Sequence, residues 1–319
     1  MIRIYDAMSH QIVDSLDLSI PSGPTESRTY GPECDYTKIP YDYTRTHMPT
    51  NRDTRPGTPS GTAEPTPPDY QLNIIGGFTD AFHFHPIIVR DSTATIYLHN
   101  NMLDYNHSYY VTIDEGVLTL PDHSFHGISK EHNWSFKTKD SAPASTDTLI
   151  VDATGQGDFN TVQGALDFIP DFSQKQTVIL IQAGDYEELV YARNKTNVKI
   201  KGAGMDRTRV HYANNEVFNP HPLTVKTNEW PGTFPSRRAA FMLDNCSDIL
   251  LEDLTIATDL HGQAEGLLLN GERIALYSVH IIGSGDALQA NGTIYMESCE
   301  LDGGGDTILG RGSLFAYRS

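Results

Sequence analysis

The sequence predicts an all-β protein in which a parallel β-helix follows an antiparallel β-sandwich. Apolar-patterned segments recur about every 20 residues in the second half, where LEDLTI ends at Ile256, LYSVHI at Ile281 and IYMESCEL at Leu301. Clusters of Gly, Asn and Asp separate these segments, which indicates turns between short strands. A repeat of this length with short strands is typical of a solenoid. Residues 1–140 instead carry six short alternating segments, which favours a sandwich.

Three polar side chains follow the same repeat. Gln263, Asp286 and Asp306 lie 23 and 20 residues apart. Equivalent positions on successive coils of a parallel β-helix stack about 4.8 Å apart. The spacing therefore predicts a polar ladder on one face of three neighbouring coils. Two carboxyl groups and an amide within reach of one ligand are suited to catalysis.

The composition limits the classes of partner. The chain has 319 residues and a formal charge of −18, which argues against nucleic acid and anionic membrane surfaces as partners. No apolar run approaches the roughly 18 residues of a membrane helix, and the first residues contain no signal peptide pattern. The three cysteines have no metal-binding spacing, and we expect no metal ion or other cofactor.

The first 140 residues predict an immunoglobulin-like β-sandwich that is incomplete at its N-terminus. Its strand candidates are IRIYDA, NIIGGF, FHPIIV, TATIYLHN, YYVTID and WSFKTK. The stretch 47–69, rich in Pro, Thr and Gly, predicts a loop without a core of its own. His83 and His85 share one face of a strand, but a third ligand that would complete a metal site is not evident.

Residues 141–147 form a short polar linker, and the β-helix is expected over 148–319. A helical period follows the first strand, with Asn160 as the expected N-cap, and this helix would cover the open end of the solenoid. The long excursion 212–238 leaves the regular scaffold. Long loops on regular scaffolds often bind ligands, so its residues Trp230, Arg237 and Arg238 are candidates for substrate binding.

Several motifs of the second domain occur in the order typical of one family. IVDATGQGDFNTVQGALDFIP provides an opening strand and helix, and AGDYEELV fits a G-x-Y-x-E-x-V pattern. HGQAEGLLLNGERIALYSVHIIGSGDAL and CELDGGGDTILG contain the three polar residues of the predicted ladder. Together these segments, over residues 148–319, resemble the pectin methylesterase (pectinesterase) family.

The resemblance implies a right-handed parallel β-helix that hydrolyses methyl esters of homogalacturonan (pectin) to free carboxylate and methanol. It implies that Asp306 is the nucleophile, Asp286 the general acid and base, and Gln263 a donor to the oxyanion. The first module is similar to immunoglobulin-like domains that precede some bacterial pectinesterases. The substrate implies a secreted or periplasmic protein, which we expect to be a monomer.

The departures from the family pattern are informative. The family often has a glutamine immediately before the first aspartate, where this chain has Gly285. The family also places an arginine and a tryptophan on coils beyond the second aspartate, whereas this chain ends at Ser319. We therefore expect a fragment of a longer protein, truncated at its C-terminus. Gln289 and Arg311, close in sequence to the two aspartates, are further candidates for substrate binding.

The chemistry of the two aspartates is expected to differ. A carboxylate can attack an ester carbonyl only when it is ionised, and the leaving methoxide needs a proton from a second carboxyl group. Because neighbouring carboxylates do not both ionise easily, the pKa of one rises. We expect Asp286 to be the group with the raised pKa and Asp306 to stay ionised.

Two other functions are compatible with a β-helix. A pectin-binding solenoid without catalysis is favoured by Gly285 and by the missing later coils. A polygalacturonase or pectate lyase would need clustered aspartates with a histidine, or a calcium site with basic residues, and the sequence displays neither set. Methanol release, pectin binding without release, and cleavage of demethylated galacturonan distinguish the three.

Overall fold

The computed structural model of the chain describes residues 1–20, 22, 71–78, 82–120, 124–130, 134–216, 218–219 and 236–319. These residues form two compact units. The first contains the N-terminal residues together with 71–74 and 82–142, and the second contains 75–78 and the residues from 143 onward. No helix among the described residues is long and apolar enough to cross a membrane. The Pro- and Thr-rich stretch 47–69 lies outside the described residues.

The first unit is an antiparallel β-structure. Its strands are β1 (Ile2–Asp6), β2 (Ile12–Leu16), β3 (Leu72–Asn73), β4 (Phe82–His83), β5 (Ile87–Arg90), β6 (Thr93–Ile96), β7 (Ser108–Ile113) and β8 (Ser135–Lys137). Four of them form a sheet in the order β2-β1-β7-β8, and β3–β4 and β5–β6 form separate pairs. The core of the unit contains Ile2, Ile4 and Tyr109, all nearly inaccessible to solvent.

Two strand predictions for this unit differ from the structure. The segment NIIGGF is a strand only at Asn73, and Ile75–Phe78 belongs to the second unit. Gly76 and Gly77 both have positive φ, so the backbone turns there instead of extending. Conversely, β2 pairs with β1 although its sequence was not recognised as a strand. The immunoglobulin-like assignment of this module stays a prediction.

The second unit is the predicted parallel β-helix. Its strands pair in parallel throughout the described ladders, and one helix precedes the second coil. Its elements are β9 (Thr148–Val151), α1 (Val162–Phe168), β10 (Thr177–Ile181), β11 (Gly184–Glu187), β12 (Val190–Arg193), β13 (Thr196–Lys201), β14 (Thr208–Tyr212), β15 (Phe241–Thr258), β16 (Leu267–Ile282), β17 (Leu288–Glu297), β18 (Glu300–Asp302), β19 (Ile308–Leu309) and β20 (Ser313–Tyr317).

Three parallel ladders make up the faces of the β-helix. In the first ladder β12, the start of β15, the start of β16, the start of β17 and β19 pair in that order. The second runs from β9 through β10, β13 and the middle segments of β15, β16 and β17 to β20. The third joins β11, β14, the ends of β15 and β16, and β18. Long strands such as β15 therefore contribute to all three faces.

Alternating apolar side chains fill the interior of the coils. Ile179, Ile200, Leu251 and Leu276 are fully buried within one continuous cluster. Burying each such side chain contributes roughly 1.5–3 kcal/mol. The stacked interior therefore stabilises the backbone register that positions the turns between ladders.

Helix α1 packs against the first coils. Its residues Val162, Ala165 and Leu166 join the core of the β-helix. The N-cap is Thr161 and not Asn160, because the Thr161 hydroxyl accepts a hydrogen bond from the Gly164 amide at 3.1 Å. The helical period correctly located the helix, but its first turn begins one residue later than expected.

A buried carboxyl group also binds the first turn of α1. The Glu188 side chain accepts hydrogen bonds from the backbone amides of Val162 at 2.7 Å and Gln163 at 2.9 Å. Burial raises the pKa of Glu188 to about 7, and the two amide hydrogen bonds oppose that rise. Ionised Glu188 is therefore well bonded yet poorly solvated.

The titration of Glu188 predicts a pH-dependent stability. The pKa of Glu188 in the folded chain exceeds its ordinary value of 4.5, so the folded chain holds this proton more tightly than the unfolded chain does. The protonated side chain therefore stabilises the fold fully below pH 4.5, and this stabilisation is lost as pH rises through about 7. At 1.36 kcal/mol per pH unit, the free energy of unfolding falls by about 3 kcal/mol across this window. In urea titrations at several pH values, Glu188→Gln should remove that fall. The exposed-site control Glu272→Gln should retain it, and an unchanged pH profile in Glu188→Gln would contradict the assignment.

Candidate active site

The candidate site lies where successive coils turn from the third ladder back to the first. The three turns contain residues 259–266, 283–287 and 303–307. Backbone hydrogen bonds stack them, from the Ser284 amide to the Ala264 carbonyl at 3.0 Å and from the Gly304 amide to the Ser284 carbonyl at 2.9 Å. The spacing of the turns is thus set by the main chain and not by the polar side chains they carry.

The register of the first ladder corrects the predicted polar ladder. Leu267 pairs with Leu288, and Leu288 pairs with Ile308. Counting back two residues from each makes Glu265, Asp286 and Asp306 the equivalent positions. Gln263 precedes this column by two residues, so the 23-residue spacing that first indicated it was not the true coil length. The sequence reasoning missed Glu265, which the strand register alone would have found.

Glycines allow the turn around Asp286 to be tight. A Cβ atom on Gly283 would lie 1.6 Å from the Asp286 carbonyl oxygen, and one on Gly285 would lie 2.7 Å from the Gly262 carbonyl oxygen. Both distances are shorter than real carbon–oxygen contacts, so a side chain at either position requires the backbone to move. The close stacking of these turns therefore favours glycine at position 285, which leaves no side-chain amide donor there.

Asp286 is one of the buried carboxyl groups of the site. It is only 5% exposed, and its Oδ1 accepts a hydrogen bond from the Asp306 backbone amide at 3.2 Å. Its Oδ2 lies 3.5 Å from Nη2 of Arg238. Burial raises the pKa of Asp286, and the charge of Glu265 raises it further, while Arg238 and the Asp306 amide lower it. The net shift is upward, in the direction expected for a group that must donate a proton.

Asp306 is exposed on the next turn. The glycines before it let the backbone approach Asp286: the Gly305 amide donates to the Gly285 carbonyl at 2.5 Å. Its negative charge contributes to the raised pKa of Asp286. The structure thus brings the two predicted aspartates together, one buried and one open to solvent.

Arg238 connects the remaining polar groups of the site. Its Nε lies 2.8 Å and 2.9 Å from the two carboxylate oxygens of Glu265, and its Nη1 donates to Oε1 of Gln263 at 2.8 Å. Glu216 lies 3.7 Å from Nη1, and its backbone amide donates to the Gln263 carbonyl. Burial alone would lower the pKa of Arg238, but the charges of Glu265, Glu216 and Asp286 raise it, so the guanidinium stays charged.

The other predicted substrate-binding residues lie in different surroundings. Arg237 is buried, and its carbonyl accepts a hydrogen bond from the Asn214 side chain at 2.9 Å. Gln289 is buried in β17, three residues beyond Asp286, on the strand face opposite the core residues Leu288 and Ala290. Arg311 is exposed at the far end of β19, where its backbone amide donates to Asn291. Trp230 lies outside the described residues.

A second cluster has a geometry that can hold a cation. Oxygen or nitrogen atoms of Glu187, His211 and Asp259 lie within 4.8 Å of one another. His211 is buried, with Nδ1 bonded to Asp259 and Nε2 3.2 Å from Asp185. Arg209 binds the other oxygen of Asp259 at 2.9 Å. His211 therefore already contacts two carboxylates and Arg209 contacts one of them, and no ligand spacing in the sequence would have identified the cluster.

Comparisons with known proteins match the second part of the chain to one family. The pectinesterase family profile matches residues 148–316. Probable pectinesterase 8 of Arabidopsis thaliana is 29% identical over 177 residues, which cover 54% of this chain and 44% of that protein. Pectinesterase QRT1 of the same plant is 27% identical over 196 residues, covering 57% and 50%. The chain thus spans about half the length of the curated relatives it matches.

Solved structures are similar to about half of the chain. The pectin methylesterase from carrot aligns over 55% of this chain and 52% of its own, with a TM-score of 0.45 and 23% identity. Pectin methylesterase PemA from Erwinia chrysanthemi aligns over 55% and 54%, with a TM-score of 0.43 and 19% identity.

Because the turn around Asp286 is tight, we expect a single methyl group added at Gly283 to lower the stability of the fold. Gly283→Ala should lower the free energy of unfolding by about 1–3 kcal/mol, the usual cost of overpacking, because the added Cβ meets backbone. Gly184→Ala is the matched control, since its added Cβ would come no nearer than 3.2 Å to another atom, the Tyr186 ring, a much smaller overlap. Urea denaturation of both variants measures the difference. Equal stability of the two variants would contradict the geometry described for the turn.

Proposed function

Because the chain belongs to the pectinesterase family, we propose that it hydrolyses methyl esters of homogalacturonan to free carboxylate and methanol. One observation carries the proposal. A buried aspartate with a raised pKa, Asp286, contacts the backbone of an exposed aspartate, Asp306, on the adjacent turn. This pairing supplies a proton donor beside an accessible carboxylate.

The first half of the reaction transfers the acyl group to the protein. An oxygen of ionised Asp306 attacks the ester carbonyl carbon and forms an anhydride bond. The bond between that carbon and the methoxy oxygen breaks. Protonated Asp286 gives its proton to the leaving oxygen, so methanol departs and Asp286 becomes a carboxylate.

The second half restores the protein. Ionised Asp286 takes a proton from water as the water oxygen attacks the acyl carbon. The anhydride bond breaks, the galacturonate product carries the new oxygen, and Asp306 leaves as a carboxylate. Asp286 thus ends protonated, ready for the next ester.

Gln263 is proposed to stabilise the charge that develops on the carbonyl oxygen. Its Oε1 accepts from Arg238, so its Nε2 is the end left to donate toward the substrate. One such donor contributes about 3 kcal/mol, or roughly 10²–10³ in rate. With glycine at 285, the site relies on Gln263 for this side-chain amide.

The charge of the whole chain fits an esterified substrate. At −18, the protein repels a polyanion at long range, whereas a methyl-esterified polymer is nearly neutral. The product carboxylate is repelled more strongly than the ester it came from, which favours its release. A protein that acts on such a polymer is expected to be secreted or periplasmic. We propose this location, and a monomeric state, for the chain.

Replacing the nucleophile tests the proposal. Asp306→Asn should abolish methanol release from highly methylated pectin, because a neutral amide does not form the anhydride. Asp302→Asn is the matched control, since Asp302 is exposed four residues earlier and contacts His280; it should keep the parent rate. Methanol release by Asp306→Asn at the parent rate would contradict the assignment. Saturable pectin binding by the parent without methanol release would instead support a binding protein without catalysis.

A further inference from the structure

Stability alone does not explain the buried ion pair of Arg238 and Glu265 beside Asp286. Glu265 is fully buried, and the Arg238 side chain is only 15% exposed. Nη2 of Arg238 lies 2.6 Å from Oε1 of Glu265. Taking two charges out of water costs several kcal/mol each, and apolar residues of similar volume often stabilise a protein equally well. An ion pair at this position, just before the strands of the first ladder, therefore calls for another explanation.

The arginine determines which end of the Gln263 amide faces the substrate. A side-chain amide has an oxygen that accepts and a nitrogen that donates, and rotating it by half a turn exchanges them. Nη1 of Arg238 donates to Oε1 at 2.8 Å, and a guanidinium has no acceptor for the Nε2 hydrogens. The rotated amide would place two donors against each other, so Arg238 selects the orientation in which Nε2 points away from it.

The same pair acts on the charge of Asp286 in opposite directions. Glu265 occupies the coil position equivalent to Asp286, and its negative charge raises the pKa of Asp286. Arg238 lies 3.5 Å from the Asp286 carboxyl group and lowers that pKa. Removing one member of the pair should therefore change the titration of Asp286 in a direction that depends on which member is removed.

We propose that Arg238 and Glu265 are a pair of positioning residues: Glu265 orients the guanidinium, and the guanidinium holds Gln263 with its donor toward the ester oxygen. This inference rests on the proposed esterase function and assigns Arg238, a candidate for substrate binding, to a different role. Neither residue is required to touch the substrate.

A double-mutant cycle tests whether the pair acts through Gln263. Since removing Arg238 alone leaves Glu265 buried without its partner, Arg238→Met is combined with Glu265→Gln. This pair variant and Gln263→Ala should each lower kcat by roughly 10²-fold. Adding the pair variant to Gln263→Ala should lower kcat little further, because the group it positions is already gone. Parent kcat in a folded pair variant, or fully multiplicative losses, would overturn the proposal.

The pH dependence of kcat separates positioning from a merely structural role. Glu265→Gln should move the alkaline limb of kcat to lower pH, because loss of a negative charge makes Asp286 easier to ionise. The pair variant should move that limb back toward higher pH relative to Glu265→Gln. Arg273→Gln is the control, since Arg273 pairs with Asp248 on an exposed surface of the second ladder, and it should leave kcat and the limb unchanged. Limbs that coincide in all variants would overturn the electrostatic part.

A measurement independent of activity keeps this inference distinct from the proposed function. The side-chain amide signals of Gln263, assigned by their loss in Gln263→Ala, are recorded by ¹⁵N–¹H NMR. In the parent these signals should be shifted from those of a mobile glutamine, and in the pair variant they should move to the mobile values. Unchanged signals in the pair variant would overturn the positioning role. A shift accompanied by no methanol release from the parent would contradict the esterase function only.

Discussion

The in-register parallel hydrogen bonding between coils is the constraint on which the rest of the second unit depends. Leu267, Leu288 and Ile308 pair in one ladder, and the buried apolar interior holds that register. A slip by one residue would move every inward side chain to the opposite face. Because the turns are attached to the strands, the same register brings Asp286 and Asp306 together. The carboxyl groups need no attraction for each other, and their mutual repulsion is tolerated.

The sequence predicted the parts of this arrangement that follow from periodicity. The repeat of apolar segments indicated the β-helix, and the glycine-flanked aspartates indicated the site. Periodicity could not locate Glu265, because the coil before Asp286 is 21 residues long in the ladder while Gln263 lies 23 residues away. It also could not find Arg238 as the partner of these groups, since this residue ends the long excursion 212–238, whose contacts no local pattern determines. Side-chain contacts across such excursions depend on tertiary structure.

The electrostatics of the site depend on how much solvent reaches each of its carboxyl groups. Asp286 and Glu265 are buried next to one guanidinium, whereas Asp306 is exposed on the outermost of the three turns. Burial raises the pKa of Asp286, the charge of Glu265 raises it further, and Arg238 offsets only part of this rise. Arg238 is not the arginine that the family resemblance leads us to expect beyond the second aspartate. It precedes Gln263 in the chain and contacts both the Gln263 amide and the Asp286 carboxyl group.

We infer that Asp286 keeps its proton to a higher pH than an ordinary aspartate because it is buried beside Glu265. The most direct measurement is the pH titration of the Asp286 carboxyl carbon by ¹³C NMR, with its signal assigned by its loss in Asp286→Asn. The midpoint should lie above that of an ordinary solvent-exposed aspartate. A midpoint at or below the ordinary value would contradict the proposed role of Asp286 as the proton donor.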